Sequence, residues 1–363
     1  LPRCFGNLLS LATMCDYVMD PSGDVILTLS NPNAPFAIWD ASPQEESQTN
    51  SILSESATFL VSSRHLILAS PMFKAMLTGG WKEGDKSNGT AEVGAEDWDT
   101  EALVIVMNVL HSHYRQVPKK VSLEMLAKIA IIVDYYQIHE ALQIIASLWI
   151  NALKESLPDS PGRDVTLWIL VSLVFGDATV FRQVTKIAIL RSKKDITIPH
   201  NLPIPLAVID QLNQHRKGSI DVIAAAFRGL RDDYIHGRQG CSFECRAMHL
   251  GTLMKNLSGL KFLSYPPETP YGDLSLAEVV ECITTMRSPK WYSDDDISYS
   301  KRRSHTAHQC HQRPQQVGAE GFELGIGRKQ LGDVHISTLN EFASLLVHGI
   351  QEKMEGLRLD NFI

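Results

Sequence analysis

The residues whose types could do the sharpest chemistry are Cys241, Cys245, His308 and Cys310. Cys241-Ser-Phe-Glu-Cys245 places two thiolates about one turn apart, and His308-x-Cys310, with His305 or His311 as alternates, would complete a tetrahedral zinc shell. Such a site would be structural, because no His-Glu-x-x-His or His-x-Glu pairing accompanies it. The plainer reading stands beside it: the two halves are far apart in the chain, match no common finger spacing, and a thiol also serves as a small buried hydrophobe. Other arrangements point away from catalysis. Gly325-x-Gly327 lacks a preceding strand and a following Gly-Lys-Ser/Thr, so it reads as a loop and not a phosphate cradle. There is no Gly-x-Ser-x-Gly elbow and no Cys-x-x-Cys pair. His65 is the right type for a general base but has no nucleophile beside it, and reads as a core histidine. The expectation is a non-enzymatic protein with no cofactor other than a candidate structural zinc.

Composition narrows the class. The chain has 363 residues, 44% hydrophobic and 21% charged, which suits a globular protein of two or three domains. Its 34 Lys+Arg against 41 Asp+Glu leave a net charge of −7, which offers no electrostatic footprint for nucleic acid or an anionic membrane. The apolar run Val165–Phe175 is about half the length needed to cross a bilayer. Six scattered cysteines fit a reducing, intracellular compartment, cytoplasmic or nuclear, better than a disulfide scaffold. The sequons at Asn88 and Asn256 then read as chance matches. Lys301-Arg302-Arg303 has the look of a nuclear signal, but three basics beside Asp294-Asp295-Asp296 read equally as a solvated face.

The elements that would position these residues begin with strands. Asp24–Leu29 and Phe36–Trp39 are two short β-rich runs ended by turn residues, and Thr58–Val61 is a third after a polar loop. Leu66, Ala69, Phe73 and Met76 then recur at helical spacing, interrupted at Ser70-Pro71 where a second short helix starts. Ala91–Val93 is weakly strand-like. Asp99 and Ser122 can cap the next two helices, and a shorter helix runs from about His139 to Lys154. A small sheet with helices packed on it is an α+β domain.

These residues resemble the BTB/POZ domain, especially its fungal branch. The likeness runs from Gly23-Asp24-Val25-Ile26-Leu27 through Phe59–Leu77, in particular Ser62-Ser63-Arg64-His65-Leu66, then Trp81-Lys82-Glu83 and Leu126–Tyr136. It covers about residues 20–155. The resemblance implies a protein-interaction module without a catalytic centre, commonly a homodimer, and in some members an adaptor for a cullin-type ubiquitin ligase. In cullin-binding members a hydrophobic residue two before a Glu touches the ligase scaffold, a pattern that Trp81 and Glu83 match; the alternative is that Trp81 covers the domain's own core. Repressor-type members use a charged groove built on the Asp of the first strand, here Asp24, and a basic residue whose position is held by Ser63, with Arg64 shifted by one. In the family the residue at His65 is structural.

The rest of the chain reads as helices. Lys154–Asp164 is a Pro/Gly/Ser-containing stretch suited to a domain boundary. Val165–Phe175 is apolar all round, Asp177 can cap a helix, residues 196–205 must be extended, and a helical face runs from Pro205 to Tyr234. Ser275-Leu-Ala-Glu278 and Thr338-Leu-Asn-Glu341 are capping boxes opening further helices. Val174–Asp177, Thr185–Leu190 and Leu202–Pro205 also resemble the region C-terminal to the BTB domain in fungal members. The expected organisation is an extension at 1–18 outside the fold, a BTB/POZ domain at 19–155, a helical domain at 156–290, a mobile polar segment at 291–336, and a C-terminal helix at 337–363. The expected function is a dimerising interaction scaffold and candidate cullin adaptor that binds protein, not membrane or nucleic acid. A zinc-dependent transcriptional regulator is the alternative.

Overall fold

A computed structural model of the chain describes residues 13–38, 56–79, 90–199, 202–260, 273–289 and 339–362. The architecture is mixed α+β. At its centre Val25–Ser30 (β2) buries every second side chain, Val25, Leu27 and Leu29, as the two-residue period of a strand requires. It pairs antiparallel with Ala57–Val61 (β3) and parallel with Ala91–Glu96 (β4). Tyr17–Val18 (β1) adds in parallel on the far side of β3, giving the order β1-β3-β2-β4. The register sets Leu27 opposite both Phe59 and Val93, so one apolar row crosses the sheet. Gly23, just before β2, has no room for a side chain: a Cβ there would stand 2.8 Å from the Val61 carbonyl oxygen.

Helices cover this sheet. Ser63–Ala69 (α1) and Pro71–Thr78 (α2) break at Ser70, whose hydroxyl accepts the Phe73 N–H at 3.0 Å and donates to the Tyr136 carbonyl at 2.5 Å. That one side chain starts a helix and ties it to the rest of the domain. Asp99 caps Thr100–Leu110 (α3) by accepting from Ala102 N–H, and Ser122 caps Leu123–Tyr136 (α4) by accepting from Met125 N–H. His139–Leu153 (α5) follows, then a short 3₁₀ turn, then Arg163–Val174 (α6), buried on almost every face as its sequence predicts. Phe73 stacks on Tyr136 with ring centroids 4.3 Å apart, and Trp149 is buried with its indole N–H on the Pro118 carbonyl at 2.9 Å.

The chain divides into two compact units: Leu1–Thr185 with Thr197–Val208 and Arg358–Ile363, and Lys186–Ile196 with Ile209–Leu357. The stretch 154–164, expected to be a boundary, therefore lies inside the first unit. The physical reason is that α6 packs back on α4, with the Arg163 guanidinium 2.8 Å from Glu124. Two further expectations change. Tyr17 and Val18, read as part of an extension, are in the sheet: Tyr17 stacks on Phe59 at 4.7 Å, and Asp16 accepts from both the N–H and the hydroxyl of Thr58. Phe36–Ile38, read as a strand, is irregular. Ala37 is buried at φ +46°, outside any strand conformation, with its carbonyl held by Arg163 Nε at 3.2 Å. Trp39 is outside the described residues.

The second unit holds the C-terminal part of Ala178–Arg191 (α7), most of Leu206–Ile235 (α8), Phe243–Asn256 (α9), Leu276–Thr284 (α10) and Leu339–Met354 (α11). Phe227 meets Phe342 edge to face at 5.3 Å. Arg216, buried, reaches the Lys193 and Leu274 carbonyls and Asp195. Ser275 forms the expected capping box with Glu278, and the hydrogen bond from Lys193 followed by that of the Ser275 backbone lowers the Glu278 pKa to about 2. The mobile segment expected at 291–336 and the Thr338 box lie outside the described residues, although the helix that box would open is present as α11. Among the described residues no helix is long and apolar enough to cross a membrane.

Candidate functional site

Asp24, expected in a charged groove, is used within the fold. It stands at the start of β2, and its two oxygens accept the N–H and the hydroxyl of Ser63, each at 2.8 Å. The N-cap residue of α1, Ser62, makes no side-chain capping bond, so a carboxylate from the neighbouring strand satisfies that helix start instead. Arg64, the next residue, is exposed. Trp81 and Glu83 are outside the described residues, as are His305, His308, Cys310 and His311. Cys241 is exposed and Cys245 is buried on the first turn of α9; among the described residues no cluster of three or more His, Cys, Asp or Glu could hold a metal.

His65 lies 4.9 Å, ring to ring, from the buried His111. His111 is locked between two backbone groups: Nε2 accepts the Ser62 N–H at 3.0 Å, which leaves Nδ1 to donate to the Met107 carbonyl at 2.9 Å. This arrangement needs the neutral ring. Burial lowers the His111 pKa from 6.5, against the Met107 bond that raises it; His65 and His113 lower it further and Asp20 raises it. A histidine harder to protonate when folded contributes stability above its unfolded pKa, and that contribution is lost as pH falls below about 6.5 toward the folded value. Urea midpoints should therefore fall between pH 7.5 and pH 5.5, and the fall should be smaller in His111→Gln, which keeps an acceptor but does not titrate. Equal falls in both proteins would contradict the assignment. His215 and His249 in the second unit are lowered by burial too, so part of the slope survives the substitution.

Two apolar surfaces of the first unit face solvent. Leu68 on α1 is 89% exposed although Leu66, two residues earlier, is fully buried. On α5, Leu142, Ala146, Trp149 and Ile150 form the buried face, while Ile144 and Leu148, one turn apart, are 78% and 64% exposed. Ala141 and Ala152 continue that outward stripe.

The first unit also carries a half-open groove of about 810 Å³. Because β2 and β4 are parallel, both end on the same side, and the groove begins there, walled by the turn after each strand and by the C-terminal half of α4. Trp98 and Tyr135 meet edge to face at 5.3 Å, and Tyr136 lies behind them with its phenol pushed up to about 12 by burial. Lys128 bonds Asp99 at 2.9 Å and Glu124 at 3.0 Å while its ammonium sits 5.7 Å over the Phe36 ring. Burial opposes the Lys128 charge, but the bonds to Asp99 and Glu124 outweigh it and raise its pKa. Of the seven non-glycine residues with positive φ among the described residues, Asn31, Asn33, Ala37 and Asp97 flank this groove and Gln137 follows Tyr136. The turns are braced: Asn31 donates to Asp97, Asn33 N–H to the Trp98 carbonyl at 2.9 Å, and Thr100 N–H to the Asn33 side chain at 3.0 Å. Sequence reasoning missed this site, reading Asp99 as a cap and Tyr135-Tyr136 only as the end of the Leu126–Tyr136 string that carries the resemblance; the signal was the pairing of acid with aromatic in Asp97-Trp98-Asp99 and again in Asp134-Tyr135.

No protein-family model matches the chain, and no curated protein matches it.

Proposed function

We propose that the chain is a non-enzymatic protein–protein interaction protein whose first unit is a BTB/POZ-type module, dimeric through the α1 face and able to act as an adaptor for a cullin-type ubiquitin ligase. The observation that carries the reading is Leu68, a large apolar side chain held 89% exposed on a helix whose other side is core. A lone exposed leucine is ordinary, but this one lies in the Ser62–Leu77 string on which the resemblance rests. The order of three strands, helix pair, returning strand, helix and helix pair supports the reading too. The α5 stripe of Ile144 and Leu148 offers a second apolar surface for another protein. The intracellular setting, cytoplasmic or nuclear, belongs to the same proposal.

The adaptor part is tested by titrating the full chain with a cullin N-terminal domain. The account expects a complex that weakens more than about tenfold in Glu83→Ala, since hot-spot truncations cost about 2 kcal/mol or more. No complex with the wild-type chain, or one indifferent to Glu83, rules out the adaptor role.

A further inference from the structure

The groove at the ends of β2 and β4 combines three properties that point to one kind of ligand. It is concave and open along one side, so a side chain can enter while the chain that carries it stays outside. Its walls present aromatic surface: Tyr135 is 49% exposed and Trp98 is half-buried beside it. Aromatic faces attract cations, and the groove already contains one such contact, that of Lys128 over Phe36.

Its charge is one-sided. Glu96, Asp97, Asp99 and Asp134 line it against the single ammonium of Lys128. Lys128 is fully engaged by Asp99 and by Glu124, so it neutralises Asp99 and leaves Glu96, Asp97 and Asp134 exposed around the aromatic walls. The His139 imidazole, also nearby, is 3.8 Å from Asp134. The turn carrying Asp97 and Trp98 is fixed in place by the bonds from Asn31 and Asn33, so the site is formed before a ligand arrives.

We propose that this groove binds an arginine side chain of a basic peptide, the guanidinium plane against Trp98 and Tyr135 and its donors on Asp97 and Asp134. A guanidinium suits both halves of the site, because it stacks on aromatic faces and offers forked donors that match carboxylates. The site stands apart from the Leu68 surface and requires no dimer, so its failure and that of the interaction-module reading are separable.

The test uses the full chain and a short fluorescein-labelled peptide of alternating Arg and Ser, followed by anisotropy at low ionic strength. Saturable binding is expected, lost as salt is raised. Asp97→Asn/Asp134→Asn should weaken it about tenfold, and Tyr135→Ser about threefold. Asparagine tolerates the left-handed backbone at 97, and Tyr135 is half-exposed, so both variants keep the fold. The control Glu155→Gln/Asp159→Asn removes two exposed acids of the same unit and should leave binding unchanged. Absence of saturable binding, equal binding of a Glu/Ser peptide, or equal weakening by the control would overturn the proposal, the last because it would reduce the effect to overall negative charge.

Discussion

If the first unit dimerises through α1 as proposed, Leu68→Glu is expected to leave the chain monomeric at concentrations where the wild-type chain pairs. The side chain is 89% exposed, so the substitution removes nothing from the core and should change stability by no more than about 0.5 kcal/mol. In a two-fold interface each residue is used twice, so one substitution places two carboxylates in the same apolar contact. Burying a charge without a partner is costly, and two such charges weaken dimerisation by about 3 kcal/mol or more, over a hundredfold in Kd. The wild-type and variant chains should have the same thermal midpoint when measured dilute enough for both to be monomeric. An unchanged dimer would remove α1 from the interface.

Trp149→Ala has the opposite profile. Trp149 is 1% exposed and its indole N–H donates to the Pro118 carbonyl. Truncation opens a cavity and orphans that carbonyl, costing about 3–5 kcal/mol, a large share of a domain's net stability. Its neighbours on the same helix, Ile144 and Leu148, are the internal control: replaced by Ala they should shift the urea midpoint by an amount equivalent to at most about 0.5 kcal/mol each. A Trp149→Ala cost below about 1 kcal/mol would mean that α5 is not packed as described.

The contrast on α5 also marks what a sequence can and cannot reveal. Helix starts were legible because capping is local: Ser70, Asp99, Ser122, Asp177 and Ser275 each accept from an N–H three residues ahead, within reach of a short pattern. β2 was legible as a β-rich run, Asp24–Leu29, ended by the turn residues Asn31-Pro32-Asn33. Phe36–Ile38 was not, since its conformation depends on Arg163, which lies 126 positions beyond Ala37. β1 is two residues long and has no period to detect; it is held by Tyr17 on Phe59 and by Asp16 on Thr58. The same limit hid the groove. Its aromatic and acidic residues come from a strand end, a turn and a helix end, and only the parallel pairing of β2 with β4 brings them to one side. Nor could local pattern show that α6 closes onto α4, which is why a Pro/Gly/Ser stretch that looks like a linker sits inside the first unit.

The most direct measurement is the mass of the full chain in solution by light scattering at tens of micromolar. The account predicts twice the 40.4 kDa of one chain, falling to that of a single chain in Leu68→Glu. A wild-type chain that stays at 40.4 kDa across that range would contradict the dimerising interaction module on which the functional reading is built.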